Sequence, residues 1–212
     1  MKKLLFIFAT SFTLFSCAHE VSEQQDNAKG GGEKDLSQLS KAYFASGCFW
    51  CVEAVFESVR GVEEAVSGYA GGKIKDPTYY QVSSGKIKHA EAVMVYYDPL
   101  VVSYATLVDV FFNSHNPSTL NRQGPDSGPQ YRSIAFYEND GERKIIESKI
   151  AGILERGEYT RVTTQVIPFD VFYDAEDYHQ DYERNNPNNG YVKAVSIPRL
   201  NAFKAKMSEV LK

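Results

Sequence analysis

Ala42-Tyr43-Phe44-Ala45-Ser46-Gly47-Cys48-Phe49-Trp50-Cys51-Val52-Glu53 is the stretch on which the rest of the chain is read. Ala42–Ala45 is a short apolar, extended run, and Ser46-Gly47 breaks it. Beyond the break, Val52, Val55, Phe56 and Val59 recur at spacings of three and four, the mark of an amphipathic helix. Cys48 therefore falls where a strand turns into a helix. Free backbone N–H groups and the positive end of the helix dipole gather there, and both favour a thiolate. Cys51 follows three residues on. In a first helical turn that spacing puts the two side chains on one face, close enough for a disulfide after small adjustments. A metal half-site and a pair of inert buried thiols are the other readings of CxxC, but zinc needs about two further ligands. The chain has no second CxxC, and His19, His89, His115 and His179 show no ligand spacing. Thiol chemistry, redox or nucleophilic, is the expectation, with no metal and no bound cofactor.

Downstream, strand and helix signals alternate. Strands are expected over Glu64–Tyr69, Ala90–Tyr97, Tyr131–Tyr137 and Arg161–Ile167. Helices are expected over Ser103–Phe112, Gly141–Arg156, Ala175–Tyr182 and Pro198–Leu211. Neighbouring strands are not always separated by a helix. The fold class is therefore α/β (α+β), a two-layer, ferredoxin-like sandwich with a mixed, partly antiparallel sheet. The long Pro/Gly/Asn-rich loop from Asn113 to Gln130 is the kind that usually carries function.

Upstream, Lys2 and Lys3 precede an apolar run from Leu4 to Phe15 that is short for a membrane span and fits a secretory signal. It stops at Leu14-Phe15-Ser16-Cys17, which resembles a lipobox. Residues 1–16 are read as a lipoprotein signal peptide, with Cys17 lipidated. The competing reading is an ordinary signal with an incidental cysteine. Three thiols in an exported chain leave one over, and lipidating Cys17 leaves Cys48 and Cys51 as a pair. Residues 17–40 are polar and aperiodic, a flexible linker, and 41–212 is the catalytic domain. The expected location is outside the cytoplasm, anchored by lipid to a bacterial membrane. Formal net charge is -4, from 23 basic and 27 acidic residues, which argues against nucleic-acid binding. Hydrophobic content of 43% is enough for a well-filled core, and a monomer is expected.

A reactive thiol needs a pocket and a proton donor. Phe49 and Trp50 flank Cys48 and read either as pocket wall or as core. Glu91, on the Ala90–Tyr97 strand, is a solvated acid or, if buried beside the thiol, a general acid with a raised pKa. Tyr79, Asp126 and Tyr131 sit in turn and loop positions, and each tyrosine taken alone reads first as structural in a chain with fourteen.

Here the pattern resembles a family. Gly47-Cys48-Phe49-Trp50 with Glu53, Gly68-Tyr69-Ala70-Gly71-Gly72, Pro77-Thr78-Tyr79, His89-Ala90-Glu91, Asp126-Ser127-Gly128-Pro129-Gln130-Tyr131-Arg132-Ser133 and Phe172–Gln180 resemble, in order, the signatures of the peptide-methionine (S)-S-oxide reductases, the A-type methionine sulfoxide reductases. The likeness spans about Lys41 to Lys206. It implies that Cys48 attacks the sulfoxide sulfur, that Glu91 protonates the leaving oxygen, and that Tyr79 and Tyr131 hydrogen-bond that oxygen. Phe49 and Trp50 would hold the methionine methyl group, with Asp126 a supporting carboxylate. The substrate is then the S epimer of methionine sulfoxide, in oxidised proteins or free. Many relatives carry a resolving cysteine after a C-terminal Asn-Pro…Tyr; here Tyr191 is followed by Val192, and position 51, Gly in most relatives, is Cys. Cys51 is therefore expected to resolve the Cys48 sulfenic acid to a disulfide, recycled by thioredoxin or another dithiol. The alternatives are direct reduction of the sulfenic acid by an external thiol, a general CxxC thiol–disulfide oxidoreductase, and a non-catalytic binding module.

Overall fold

Tyr43 and Phe44 are adjacent, and strand geometry sends them to opposite faces of β1 (Ser40–Ser46). Each joins a different apolar cluster. The structure, a computed structural model, describes residues 35–212. Expectations for the signal peptide, for Cys17 and for most of the linker lie outside the described residues. After β1 come α1 (Phe49–Glu57), β2 (Val62–Ala70), α2 (Tyr79–Ser83), β3 (Ala90–Tyr97) and α3 (Tyr104–Asn113). Then follow β4 (Arg122–Gln123), β5 (Asp126–Ser127), β6 (Ser133–Tyr137), α4 (Asp140–Glu155), β7 (Gln165–Pro168), β8 (Phe172–Asp174), α5 (Tyr182–Asn185) and α6 (Ile197–Lys206).

Six strands make one sheet in the order β7-β6-β1-β3-β2-β8, and β4 and β5 pair apart from it. All sheet pairings are antiparallel except β6 with β7. The inner order β6-β1-β3-β2, with α1 and α3 as crossovers, is the split βαβ arrangement of a ferredoxin-like fold. On the helix face, Phe44 lies between Phe56 of α1 at 5.0 Å and Phe111 of α3 at 5.1 Å, centroid to centroid. Losing a ring packed on both sides costs about 3–5 kcal/mol. On the other face, Tyr43 stacks on Phe169 at 3.6 Å, so the link between β7 and β8 covers the sheet there. Glu91 shares the parity of Val93 and Val95, which pack in the helix-side cluster. An acid is thereby turned toward α1 from the middle of the sheet.

Four boundaries differ from the sequence reading. Thr163 spends its N–H on the Pro117 carbonyl at 2.7 Å, which ties the segment before Gln165 to the long loop and delays β7. Tyr131 lies in a 3-10 turn (Pro129–Tyr131) before β6 starts. The helix expected over Ala175–Tyr182 is a 3-10 turn (Asp177–His179) and then α5, split by Asp181 at φ +54°. The last helix begins early, with a π-helical turn (Val192–Ser196) running into α6.

Candidate active site

Gly47, at φ +91°, lets β1 turn sharply into α1, and a Cβ there would lie 2.6 Å from Gln123 Cβ. Cys48 takes the N-cap position of α1 but makes no capping bond with its side chain. The cap comes from elsewhere in the fold: Phe49 N–H donates to Glu91 Oε2 at 3.1 Å. The sulfur is thus not spent on capping the helix, and the buried carboxyl is fixed at the helix start beside it. Burial pushes Glu91 up to about 8, against the pull of the Phe49 N–H, with Asp126 and Cys51 adding to the rise. At neutral pH it is a buried acid holding its proton.

The walls are built by local rules. Thr78 and Gln81 form a capping box that starts α2 at Tyr79, and Tyr79 N–H donates to Glu176 Oε1 at 2.9 Å. Gln130 Nε2 donates to the Ser83 carbonyl at 3.1 Å, and Arg132 donates to the carbonyls of Pro129 and Lys88, each at 2.8 Å. These bonds clamp the Asp126–Ser133 motif against α2, so that Tyr131 and Tyr79 face one space. Both phenols are shifted upward by burial first and by Glu91 next, so they stay donors, Tyr79 with a value of about 12. Trp50 donates from Nε1 to His179 Nδ1 at 3.1 Å and stacks on Tyr182 at 3.7 Å. Tyr191 donates to Asp126 Oδ2 at 2.5 Å.

The result is one cavity of about 300 Å³ lined by Cys48, Phe49, Trp50, Tyr79, Glu91, Asp126, Tyr131, Asn189 and Tyr191. All eight residues expected around the thiol chemistry fall in or beside it, Cys51 lying just behind. A larger cavity of about 390 Å³ lies beyond Trp50, among Glu53, Glu57 and Asp181, and neither Cys48 nor Cys51 lines it. Glu53, Glu57 and Asp181 bring ligand atoms within 4.8 Å of one another. Both oxygens of Glu53 are already taken, by the Ser67 hydroxyl and the Asp181 N–H.

The charge expectation for the two thiols is reversed. Cys48 is 7% exposed and Cys51 2%, and they lie within hydrogen-bonding reach of each other. Burial pushes the Cys48 thiol well up, and Cys51 and Glu91 push in the same direction, which outweighs the helix end. Cys51 is drawn down to about 6, first by its bond with Cys48, then by the Arg199 guanidinium and the Ser196 hydroxyl. Its sulfur lies 3.1 Å from Ser196 Oγ. The two thiols thus titrate as a coupled pair, in which burial disfavours a charge on Cys48 while Arg199 and Ser196 favour one on Cys51.

Sequence reasoning missed Tyr191, His179, Ser196 and Arg199 as parts of the site. His179 stood within a quoted motif, and Tyr191 closes the Asn186–Gly190 turn. Ser196 closes the π-helical turn and Arg199 follows in α6, and neither carries a local sequence signal.

A family model described as peptide methionine sulfoxide reductase matches residues 40–211. A peptide methionine sulfoxide reductase of Pasteurella multocida is 47% identical over 172 residues, covering 81% of this chain and 98% of its own. The reduced form of Saccharomyces cerevisiae Mxr1 superposes with TM-score 0.68 at 32% identity, over 74% of this chain and 91% of that one. Mxr1 in complex with Trx2 superposes at 0.50 with 25% identity, over 71% and 88%.

Proposed function

The chain belongs to the peptide methionine sulfoxide reductase family and is an oxidoreductase that returns methionine sulfoxide to methionine; from this premise we propose a residue-level mechanism for the S epimer. The sulfoxide oxygen enters between Tyr79, Tyr131 and Glu91, and the methyl group lies against Phe49 and Trp50. As Cys48 Sγ attacks the sulfoxide sulfur, its proton passes to Cys51. Glu91 gives its proton to the oxygen, and the two phenols stabilise the charge that develops there. The S–O bond breaks, oxygen stays on Cys48 as a sulfenic acid, and methionine leaves. Cys51 Sγ then attacks Cys48 Sγ and the hydroxyl departs as water. The sum is one sulfoxide and two thiols giving one thioether, one disulfide and water. A thioredoxin-type dithiol reduces the disulfide. Asp126 supports the site through Tyr191.

The observation that carries this reading is the buried Glu91 carboxyl fixed at the start of the Cys48 helix, inside the cavity that both phenols line. A stereo-resolved assay tests it. One turnover without reductant should consume only the S epimer and yield a Cys48–Cys51 disulfide by mass spectrometry. Normal recycling of Cys51→Ser by a dithiol protein would remove Cys51 from the scheme in favour of direct sulfenic-acid reduction.

The location rests on the leader alone. Lys2, Lys3, the apolar run and Cys17 support export and lipid anchoring, with the domain acting as a monomer on oxidised exported proteins. Among the described residues no helix is long and apolar enough to cross a membrane. Labelled palmitate should enter the full chain in a bacterial host and be lost in Cys17→Ser; equal label in both would refute the anchor.

A further inference from the structure

Cys51 opens on a cavity of its own. It is about 270 Å³, and Asp126 and Tyr191 form the partition between it and the substrate pocket, since both residues line both spaces. The rim is small and exposed at Gly124, Pro125 and Ala194. Arg199 lies in the wall, its guanidinium fixed by the Ser114 carbonyl at 2.8 Å and the Ser46 hydroxyl at 3.2 Å. A fixed cation beside a sulfur, behind a rim without bulky side chains, suits an incoming thiolate. The one acid in the wall, Asp126, has Oδ2 occupied by the Tyr191 hydroxyl. The turn that carries Ala194 and Val195 is π-helical, a form that often marks functional sites.

We propose that this cavity is the seat of the reductant: the exposed thiolate of a thioredoxin-type dithiol protein enters past Ala194 and attacks Cys51, not Cys48, without passing through the methionine sulfoxide pocket. The inference rests on the Cys48–Cys51 disulfide proposed above. In the first exchange the reductant sulfur bonds to Cys51 Sγ and the Cys48–Cys51 bond breaks. The electron pair goes to Cys48 Sγ, which takes the proton that the reductant's attacking thiol shed on ionising and so is restored as the thiol its burial favours. In the second exchange the reductant's other thiol attacks its own bonded sulfur. Cys51 leaves as a thiolate, held by Ser196 and Arg199, and the released proton returns to Glu91. In this second exchange the departing sulfur is the one stabilised as an anion, the faster leaving group. In the first, where Cys48 departs, leaving-group ability does not favour attack on Cys51, and it is access past the rim of Gly124, Pro125 and Ala194 that directs it there. The enzyme is back in its resting state, with one reductant disulfide formed.

The test uses the whole chain after one turnover and a thioredoxin whose second active-site cysteine is changed to serine. Acid quenching at early times and peptide mapping should find the mixed disulfide on Cys51. A mixed disulfide on Cys48 overturns the proposal while leaving the disulfide mechanism intact; absence of any Cys48–Cys51 disulfide beforehand instead breaks the mechanism beneath it. As a second measurement, Ala194→Trp should slow reduction of the preformed disulfide by wild-type thioredoxin about tenfold in stopped flow. An unchanged rate counts against the cavity as the entrance.

Discussion

The two sides of the dithiol are built from different material. Cys48 and Glu91 sit on the regular part of the fold, one at the start of α1 and the other in β3 at the centre of the sheet. Tyr191, Ser196 and Arg199 come from the last stretch of chain, where π-helical, 3-10 and short helical turns follow one another. The sheet side fixes the reacting atoms, because two strands and a helix over-determine where the sulfur and the acid lie. The terminal side meets the site through individual side-chain contacts, on Cys51, on Asp126 and, from Arg199, on the Ser46 hydroxyl at the end of β1. Breaking the first region should abolish chemistry, and breaking the second should retune it.

Glu91→Gln gives the largest effect. It keeps the shape but removes the proton, and general-acid loss costs about 10²–10⁴-fold, so single-turnover sulfoxide reduction should fall by about that factor. In the wild type the same step should decline as pH rises above about 8, where Glu91 loses its proton; the variant should lack that limb. Stability follows the same group. A carboxyl raised in the fold binds its proton more tightly folded than unfolded, so its stabilising contribution is full in acid. That contribution is lost as pH climbs from the ordinary glutamate value, about 4.3, towards about 8. Denaturant titrations should show a shallower fall for Glu91→Gln across that window. Identical pH profiles in the two proteins would mean that another group supplies the proton.

The same division governs what could be read from the sequence. Periodicity and capping signals located β1, α1, β3, α3 and α4, because each element's apolar pattern is decided by the face it buries. Cys48, Glu91 and the two phenols followed from residue type and motif. The ionisation of the thiols did not, since it depends on how deeply Cys48 is buried and on Arg199, almost 150 residues away in sequence from Cys51. His179 was weighed only as a metal ligand. Its Nδ1 in fact accepts the Trp50 indole proton, a pairing set by tertiary folding across β8 and α5.

His179→Leu should have the next largest effect, and it crosses the divide, since a terminal residue here holds an α1 side chain. The exchange removes the acceptor for the half-buried Trp50 N–H, and an unpaired buried donor costs about 1–3 kcal/mol. Thermal unfolding should shift down accordingly. The KM for a sulfoxide peptide should rise more than kcat falls, because Trp50 lines the pocket and is not a proton donor in the scheme. If kcat alone collapses, the indole or the imidazole belongs to the chemical step and the division between the two regions is drawn in the wrong place.

The smallest effect belongs to Ser196→Ala. Ser196 is wholly buried and its hydroxyl lies 3.1 Å from Cys51 Sγ. Nothing else in the proposed mechanism uses it. A hydrogen bond to a charged acceptor contributes about 1.5–3 kcal/mol. Part of that loss is recovered because Cys48 and Arg199 still act on the sulfur, so we expect the Cys51 thiol to titrate upward by about one unit, close to 1.4 kcal/mol. Below neutral pH fewer molecules would then carry the Cys51 thiolate. Disulfide formation after the first turnover should slow several-fold at pH 6 and recover towards the wild-type rate by pH 9, while the methionine-releasing step keeps its Glu91-controlled alkaline limb. A change confined to that second phase, seen by quenching and counting free thiols, is what separates a residue that tunes Cys51 from one that merely fills space: a packing defect would slow both phases at every pH.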